Sequence, residues 1–438
     1  MNKLFKGKKV IIMGLGLHGG GVGVAQFFYK QGANVLVTDL KTEDQLKESL
    51  VKLKKIKIEY ALGQHREIDF KNSDLIIKNP DVLDSSPYLK IAKENNIPVE
   101  TDINLFFKLT KVFTIAVTGT KGKSTTASLI YHLLKSKYKK VFLVGNIGVS
   151  PLEIISKIKK GDKVVLELSS FSLENFKYGP NIAVTTNILP DHLNRYSGMS
   201  DYINSKKNIF KYQNKKDVLF LNEDDSIVKD FAKEAHSKVY FYSADKISKS
   251  IKVEDYKLIG RHNLSNLSVA VSVAKLLKVS TNTINKSIKS FKGVPNRQEF
   301  IREVNGVKYF NDTTATMPEA VIVAINAFSE KYINSKLVLI SGGQNKGLNF
   351  SELSKSIKEK VDDLILLPGT ASDKIEEHLF DYSNVHKVFS MKEAVLKAQK
   401  LSKHGDIVVL SPGAASFNLF KNEFDRGDQF IKIVKNLK

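Results

Sequence analysis

Short apolar runs alternate with glycine turns and amphipathic stretches along most of the chain, the pattern of strands followed by helices. Residues 8–39 set the rhythm. KKVIIMG reads as a buried strand, GLGLHGGGVG as a turn, VAQFFYKQG as a helix closed by Gly32, and ANVLVTD as a second strand. KIEYALG, SDLIIKNP and IPVETD continue as strands, with helices near Pro87–Asn95 and over Ile103–Leu109. VFTIA (112–116) feeds a second glycine turn, GTKGKST, and a helix leaves it with Ala127, Ile130, Leu133 and Leu134 on one face. VFLVGNIG (141–148), DKVVLELSS (162–170) and PNIAVTTNI (180–188) are further strands. GRHNLSNLSVAVSVAKLL (260–277) begins as a loop, with Asn263 and Asn266 placed either to cap the following helix or to meet an adenine edge. Pro295, in GVPNRQEF, starts a fresh strand, and the rhythm resumes in VKYFN, SKLVLIS, DDLILLPG, KVFSM and DIVVLS.

Repeated βα units predict parallel sheets and an α/β fold. Three domains are expected: an N-terminal Rossmann-like domain over 1–110, a central P-loop domain with a doubly wound, mostly parallel sheet over 111–294, and a C-terminal Rossmann-like α/β domain over 295–438.

Composition narrows the class. With 438 residues, 42% apolar and 26% charged, the chain is an ordinary soluble globular one. No apolar run is long enough to span a bilayer, and the N-terminal run is cut by glycines, so neither membrane insertion nor a signal peptide is expected. The chain has no cysteine, which excludes disulfides and thiolate metal sites and suits the cytoplasm. The net charge of +22 suits nucleic acid, anionic lipid or phosphorylated small molecules. Its lysines are scattered, with no basic tail and no aromatic-interleaved block. No nucleic-acid partner is expected.

The two glycine turns carry the first candidate chemistry. In GTKGKST, backbone N–H groups and a helix start face an anion, Lys123 adds a point charge, and the Ser124 hydroxyl reaches Mg²⁺. The common pattern's first glycine is missing, since position 117 is Val117. Gly14, Gly16 and Gly19 fit G-x-G-x-x-G, with Asp39 where a ribose-binding acid would stand. Any pyrophosphate ligand meets that chemistry, so the turn reads as a diphosphate site; NAD, and with it an oxidoreductase, and purely fold-building glycines are the alternatives. His18 is as apt to pack as to face ligand. Asn146, Glu167, Ser169, Ser170, Asp191 and His192 all fall at carboxyl ends of strands, where ligands of parallel sheets bind. Glu167, following VVL, needs either a hidden salt bridge or Mg²⁺. Asp312, Lys346 and Ser416 stand in strand-end loops of the third segment, with loop or capping roles as alternatives.

Taken together, GTKGKST, ELSSFSLE (167–174), TTNILPDHLNRY (185–196), GRHNLSN, PNRQEF, YFNDTTAT, SGGQNKG and LSPGAASFNLFKNEFDRG (410–427) resemble the Mur ligase family over nearly the whole chain. The likeness is greatest to its D-glutamate-adding branch. It implies an ATP-dependent amide ligase that joins D-glutamate to UDP-N-acetylmuramoyl-L-alanine through an acyl phosphate, uses two Mg²⁺ and acts as a monomer. A relative that takes another amino acid, such as L-glutamate, is the alternative. The resemblance assigns Gly119, Thr120, Lys121, Gly122, Lys123, Ser124 and Thr125 to the ATP phosphates. Asn266, Arg297 and Asp312 fall to adenine, phosphate and ribose. Ser124, Glu167, His192 and a carbamylated Lys206 fall to metal, and Lys123, His192 and Lys206 to catalysis. Gly14, Gly16, Leu17, His18 and Gly19 would hold the UDP diphosphate, with Asp39 near uracil and Asn146 and Ser169 on the muramoyl-alanine. Thr316, Lys346, Ser416 and Phe424 would bind the amino acid. The sequence departs from the family where Thr314 replaces a lysine, where Asn79-Pro80-Asp81 replaces Ser-Pro-Gly, and where Glu423 takes an aromatic slot.

Overall fold

The computed structural model describes residues 3–17, 19–416 and 419–438. Its apolar runs become three sheets. The first holds β1 (Lys9–Met13), β2 (Asn34–Asp39), β3 (Glu59–Leu62), β4 (Leu75–Lys78) and β5 (Val99–Glu100), all parallel, in the order β3-β2-β1-β4-β5. The second holds β6 (Phe113–Thr118), β7 (Val141–Gly145), β8 (Lys163–Glu167), β9 (Ile182–Thr185), β10 (Val218–Asn222) and β11 (Lys238–Tyr242). It too is parallel throughout, in the order β11-β10-β9-β6-β8-β7. These two sheets and Ser265–Ser287 form one compact unit.

The other unit comprises Lys252–Leu264 and Ile288–Lys438. Its sheet holds β12 (Glu299–Val304), β13 (Val307–Asn311), β14 (Leu337–Gly342), β15 (Asp363–Leu367), β16 (Val385–Lys387) and β17 (Ile407–Leu410). The order is β12-β13-β17-β14-β15-β16, and only the β12–β13 hairpin is antiparallel. The architecture is thus three α/β sheets, the first two parallel and the third mixed. Helices cover the sheets, and central strands such as β6 are buried on both faces: Ile115, Ala116 and Val117 are fully buried. Among the described residues, no helix is long and apolar enough to cross a membrane.

Several elements differ from the pattern-based expectation. The first helix starts at Gly20, inside the run read as turn. A Cβ on Gly21 would strike the Leu15 carbonyl, and one on Gly23 the Glu153 carboxylate, so these glycines permit close packing of a helix rather than a turn. The helix Arg261–Leu276 likewise contains Asn263 and Asn266, which therefore do not precede it as caps. Pro295 lies four residues before β12, and the strand expected in KVFSM is β16, with Met391 already opening the helix Met391–Leu401. β10 and β11 complete the second sheet beyond the three later strands read there.

Candidate active site

Parallel strands send their carboxyl ends to one edge, and at that edge of the second sheet β6 opens into the loop Gly119–Gly122 before the helix Lys123–Lys135. Gly122 caps this helix with left-handed backbone (φ 84°), and a Cβ there would press on the Asn266 amide oxygen. The same oxygen accepts the Thr126 hydroxyl at 3.0 Å. The loop is held from the strand-end segment after β9: Thr120 N–H donates to the Asn187 carbonyl at 2.7 Å, and Lys121 N–H to the Asn187 side-chain oxygen at 2.8 Å. The Thr120 hydroxyl shares a 2.9 Å hydrogen bond with Tyr202 OH.

Three lysines surround the loop. Lys123 donates to the Thr120 carbonyl at 2.9 Å, and Lys121 pairs with Asp191 at 3.2 Å. Lys206, on the helix Met199–Lys211, is 1% exposed, donates to the Gly119 carbonyl at 2.9 Å and lies 4.7 Å from the Tyr202 ring centre. Burial, reinforced by the charges of Lys123 and Lys121, pulls its ammonium pKa down to about 6, so at neutral pH it is mostly a neutral amine. Ser124 and Thr125 occupy the first turn of the phosphate-loop helix.

Glu167 ends β8, beside β6 in register with Val117. It is 2% exposed; one carboxylate oxygen accepts the Asn146 amide at 3.3 Å, and the other, Oε2, is buried without a hydrogen-bond partner. His192 has left-handed backbone (φ 54°) and its ring packs 4.8 Å from that of Phe171. Burial lowers its pKa, and Lys123, Lys121 and Lys206 add to that while Asp191 opposes it.

Within the same unit, Gly14, Gly16, Leu17, Asn146 and Ser169 line one cavity of about 220 Å³. The cavity also takes in Pro80 and Asp81, from the departure at 79–81, and Lys41, Lys78 and Asp102, which sequence reasoning did not single out. Gly19 lies against the Gly148 carbonyl. Asp39 does not line the cavity; its carboxylate accepts Gly16 N–H at 3.1 Å and Lys41 N–H at 2.9 Å and so braces the turn. His18 lies outside the described residues.

The other unit gathers its own strand-end loops. Gln344 and Ala415 bridge the loops of Lys346 and Ser416, Gly413 N–H donates to the Ala315 carbonyl at 2.8 Å, and the Thr313 hydroxyl donates to the Glu423 carbonyl at 2.8 Å. Thr316, Lys346 and Ser416 thus stand on neighbouring loops, and Phe424 lies in the first turn of the helix Glu423–Lys435. Asp312 is buried, accepting Gln298 N–H and the Ser411 hydroxyl; burial raises its pKa to about 7 despite Arg297 nearby. Arg297 itself is exposed.

Comparison with known proteins joins these parts. Residues 8–101 match the Mur ligase MurD-like N-terminal domain, 117–258 the Mur ligase middle domain, and 296–413 the Mur ligase glutamate ligase domain. The UDP-N-acetylmuramoylalanine–D-glutamate ligase of Roseiflexus sp. is 38% identical, covering 98% of this chain and 99% of that protein. That of Borreliella afzelii is 41% identical, covering 99% and 98%. The chain belongs to the Mur ligase family. Among solved structures, the UDP-N-acetylmuramate–alanine ligase of Thermotoga maritima superposes with a TM-score of 0.65 over 98% of this chain and all of that one, at 19% identity, which is a likeness of fold.

ATP chemistry commonly uses Mg²⁺ bound by one or two carboxylates together with phosphate oxygens, and the orphaned Glu167 oxygen fits such a cation, because a buried carboxylate oxygen without a partner is costly until a cation or donor meets it. Among the described residues no three His, Asp or Glu side chains converge on a common point. Asn187 and Tyr202 are the loop's main supports that sequence reasoning passed over. Asn187 stood inside a quoted motif, two residues after the all-buried strand IAVT, and that position was its signal. Tyr202 carried none beyond helical spacing.

Proposed function

We propose that this Mur ligase joins D-glutamate to UDP-N-acetylmuramoyl-L-alanine in the cytoplasm, a step of peptidoglycan precursor synthesis, at the expense of ATP. Three domains meeting near residues 110 and 294 divide the work: the first takes the UDP-substrate, the second ATP, the third the amino acid. One observation supports the reading: Asn146 lines the cavity beside the Gly14–Gly16 turn and also donates to Glu167, in keeping with a sugar-nucleotide site next to the phosphate loop.

A carboxylate oxygen of the L-alanyl group bonds to the ATP γ-phosphorus as the bond to the ADP oxygen breaks. The amine of D-glutamate then attacks the acyl carbon, loses a proton, and phosphate leaves. Lys123 and Lys121 neutralise charge on the phosphates, and the loop amides orient them; such positioning and neutralisation supply most of the catalysis in phosphoryl transfer. Ser124 and Glu167, with His192 at a second position, would hold Mg²⁺, which would supply charge withdrawal from the phosphoryl oxygens. Lys206, as a neutral amine, is ready to take up CO₂, and the carbamate would present an anion where a neutral amine otherwise stands. Thr316, Lys346, Ser416 and Phe424 bind the glutamate.

ADP release that requires both UDP-N-acetylmuramoyl-L-alanine and D-glutamate is the test. Release with L-glutamate or another amino acid instead would overturn the substrate and spare the mechanism. That arm matters because Thr314 stands where the family has a lysine.

A further inference from the structure

Arg195 is tied to more groups than any surface arginine needs. Its guanidinium forms a fork on Glu174, with both bonds at 2.8 Å. The same group donates to the carbonyls of Pro80 and Asp81, again at 2.8 Å each. Those two residues wall the sugar-nucleotide cavity, and Asn79, next to them, donates to the Gly14 carbonyl at 3.2 Å. On its other side the guanidinium lies 4.2 Å from the centre of the Phe171 ring, the ring that packs against His192. Arg195 N–H closes the turn by donating to the His192 carbonyl at 2.9 Å. A continuous set of contacts therefore runs from Gly14 through Asn79, Pro80 and Asp81 to Arg195, and from Arg195 through Phe171 and its own backbone to His192.

We infer that Arg195 is a positioning residue that couples the sugar-nucleotide cavity to the His192 turn, so that seating the UDP-substrate against Pro80 and Asp81 fixes the imidazole for the metal. The inference rests on the reaction proposed above. Planarity matters here: one rigid group serves a bidentate carboxylate, two carbonyls and an aromatic face at once, which a lysine ammonium cannot do. An arginine kept only for stability would hold the turn equally well with the cavity empty or filled. A coupling residue makes the two conditions differ.

The test titrates Mn²⁺ calorimetrically into the full chain with a non-hydrolysable ATP analogue, with and without UDP-N-acetylmuramoyl-L-alanine. In the wild type the sugar nucleotide should tighten Mn²⁺ binding about 10-fold, within the usual range of coupling between sites. Arg195→Lys should reduce that gain to below about 2-fold while leaving Mn²⁺ affinity without sugar nucleotide unchanged. Phe171→Leu, which spares every bond to Pro80 and Asp81, should lose the gain as well and guards against a variant that merely fails to fold. In turnover, Arg195→Lys should lower kcat about 30-fold with the ATP KM held. A full gain retained in Arg195→Lys overturns the inference. So does a wild type that turns over without any gain. A wild type that neither turns over nor binds UDP-N-acetylmuramoyl-L-alanine overturns the reaction as well.

Discussion

The chain builds the strand–glycine turn–helix unit twice within one compact unit, and the two copies share a backbone while differing in charge. Both helices are capped by a left-handed glycine, Gly19 at φ 89° and Gly122 at φ 84°, and neither cap makes a side-chain hydrogen bond. Each is therefore a cradle of amides at a helix start, attractive to any anion. At the first turn the nearest charge is negative: Asp39 occupies Gly16 N–H, and the cations Lys41 and Lys78 stand on the cavity wall rather than in the turn. At the second, Lys121, Lys123 and Lys206 press on the loop, and a carboxylate with a spare oxygen waits beside it. Backbone shape alone makes a generic phosphate site. The charges around it decide whether a diphosphate rests there or a triphosphate reacts.

The sharpest way to break this contrast is to remove the reacting charge. Lys123→Ala should lower the rate of ADP release by about 10³-fold or more with the fold intact, since one preorganised donor is worth that much in such sites. Glu167→Gln should cost about 10²-fold in kcat/KM and raise the Mg²⁺ concentration needed for half-maximal rate. At the other turn the outcome should move to binding: Asp39→Asn should raise the KM for UDP-N-acetylmuramoyl-L-alanine about 10-fold and leave the ATP KM unchanged. It should also destabilise the protein by about 1–3 kcal/mol, the worth of a charged hydrogen bond, readable by urea titration. If Asp39→Asn altered ATP binding and Lys123→Ala altered UDP binding, the division between the turns would collapse.

A smaller effect separates the turns by pH. In the folded protein Lys206 sheds its proton near pH 6, against 10.5 for an ordinary lysine. Between those values the unfolded chain holds one proton more, so stability rises with pH across the window and is lost as pH falls through about 6. The slope contributed is at most about 1.4 kcal/mol per pH unit. Urea titrations in CO₂-free buffer should show this slope in the wild type and lack it in Lys206→Met.

Much of this contrast could be read from residue order, and the reason is local. Both turns, their flanking strands and the helix faces are set by neighbours in sequence, where glycine spacing and apolar periodicity report directly. The hairpin of β12 and β13 was also local: Asn305 and Gly306, both at positive φ, form the two-residue turn that such a pair favours. It was passed over because Pro295 drew the strand start forward. What the order could not give were meetings across the chain. Glu153 packs against Gly23, Tyr202 against Thr120, and Arg195 against Pro80, separations that leave no periodic trace. Asp39 shows the same limit in reverse, since its position in sequence fits a ribose ligand and its bonds fit a brace. The lysine charge, too, reads as diffuse in sequence and becomes focused where Lys121 and Lys123 meet at one loop.

The strand order of the third sheet bears on how the protein is made. β17, at residues 407–410, lies between β13 and β14 rather than at an edge. During synthesis the first two sheets have all their strands once residue 242 has been added, and each can close behind the ribosome. The third cannot, because its middle is translated last: β13 and β14 must wait with their inner edges unpaired. For that interval the nascent chain exposes the kind of bare strand edge that invites pairing with another molecule. The third sheet is therefore where a chaperone, a rare-codon pause or a premature stop would weigh most on whether this enzyme matures or aggregates.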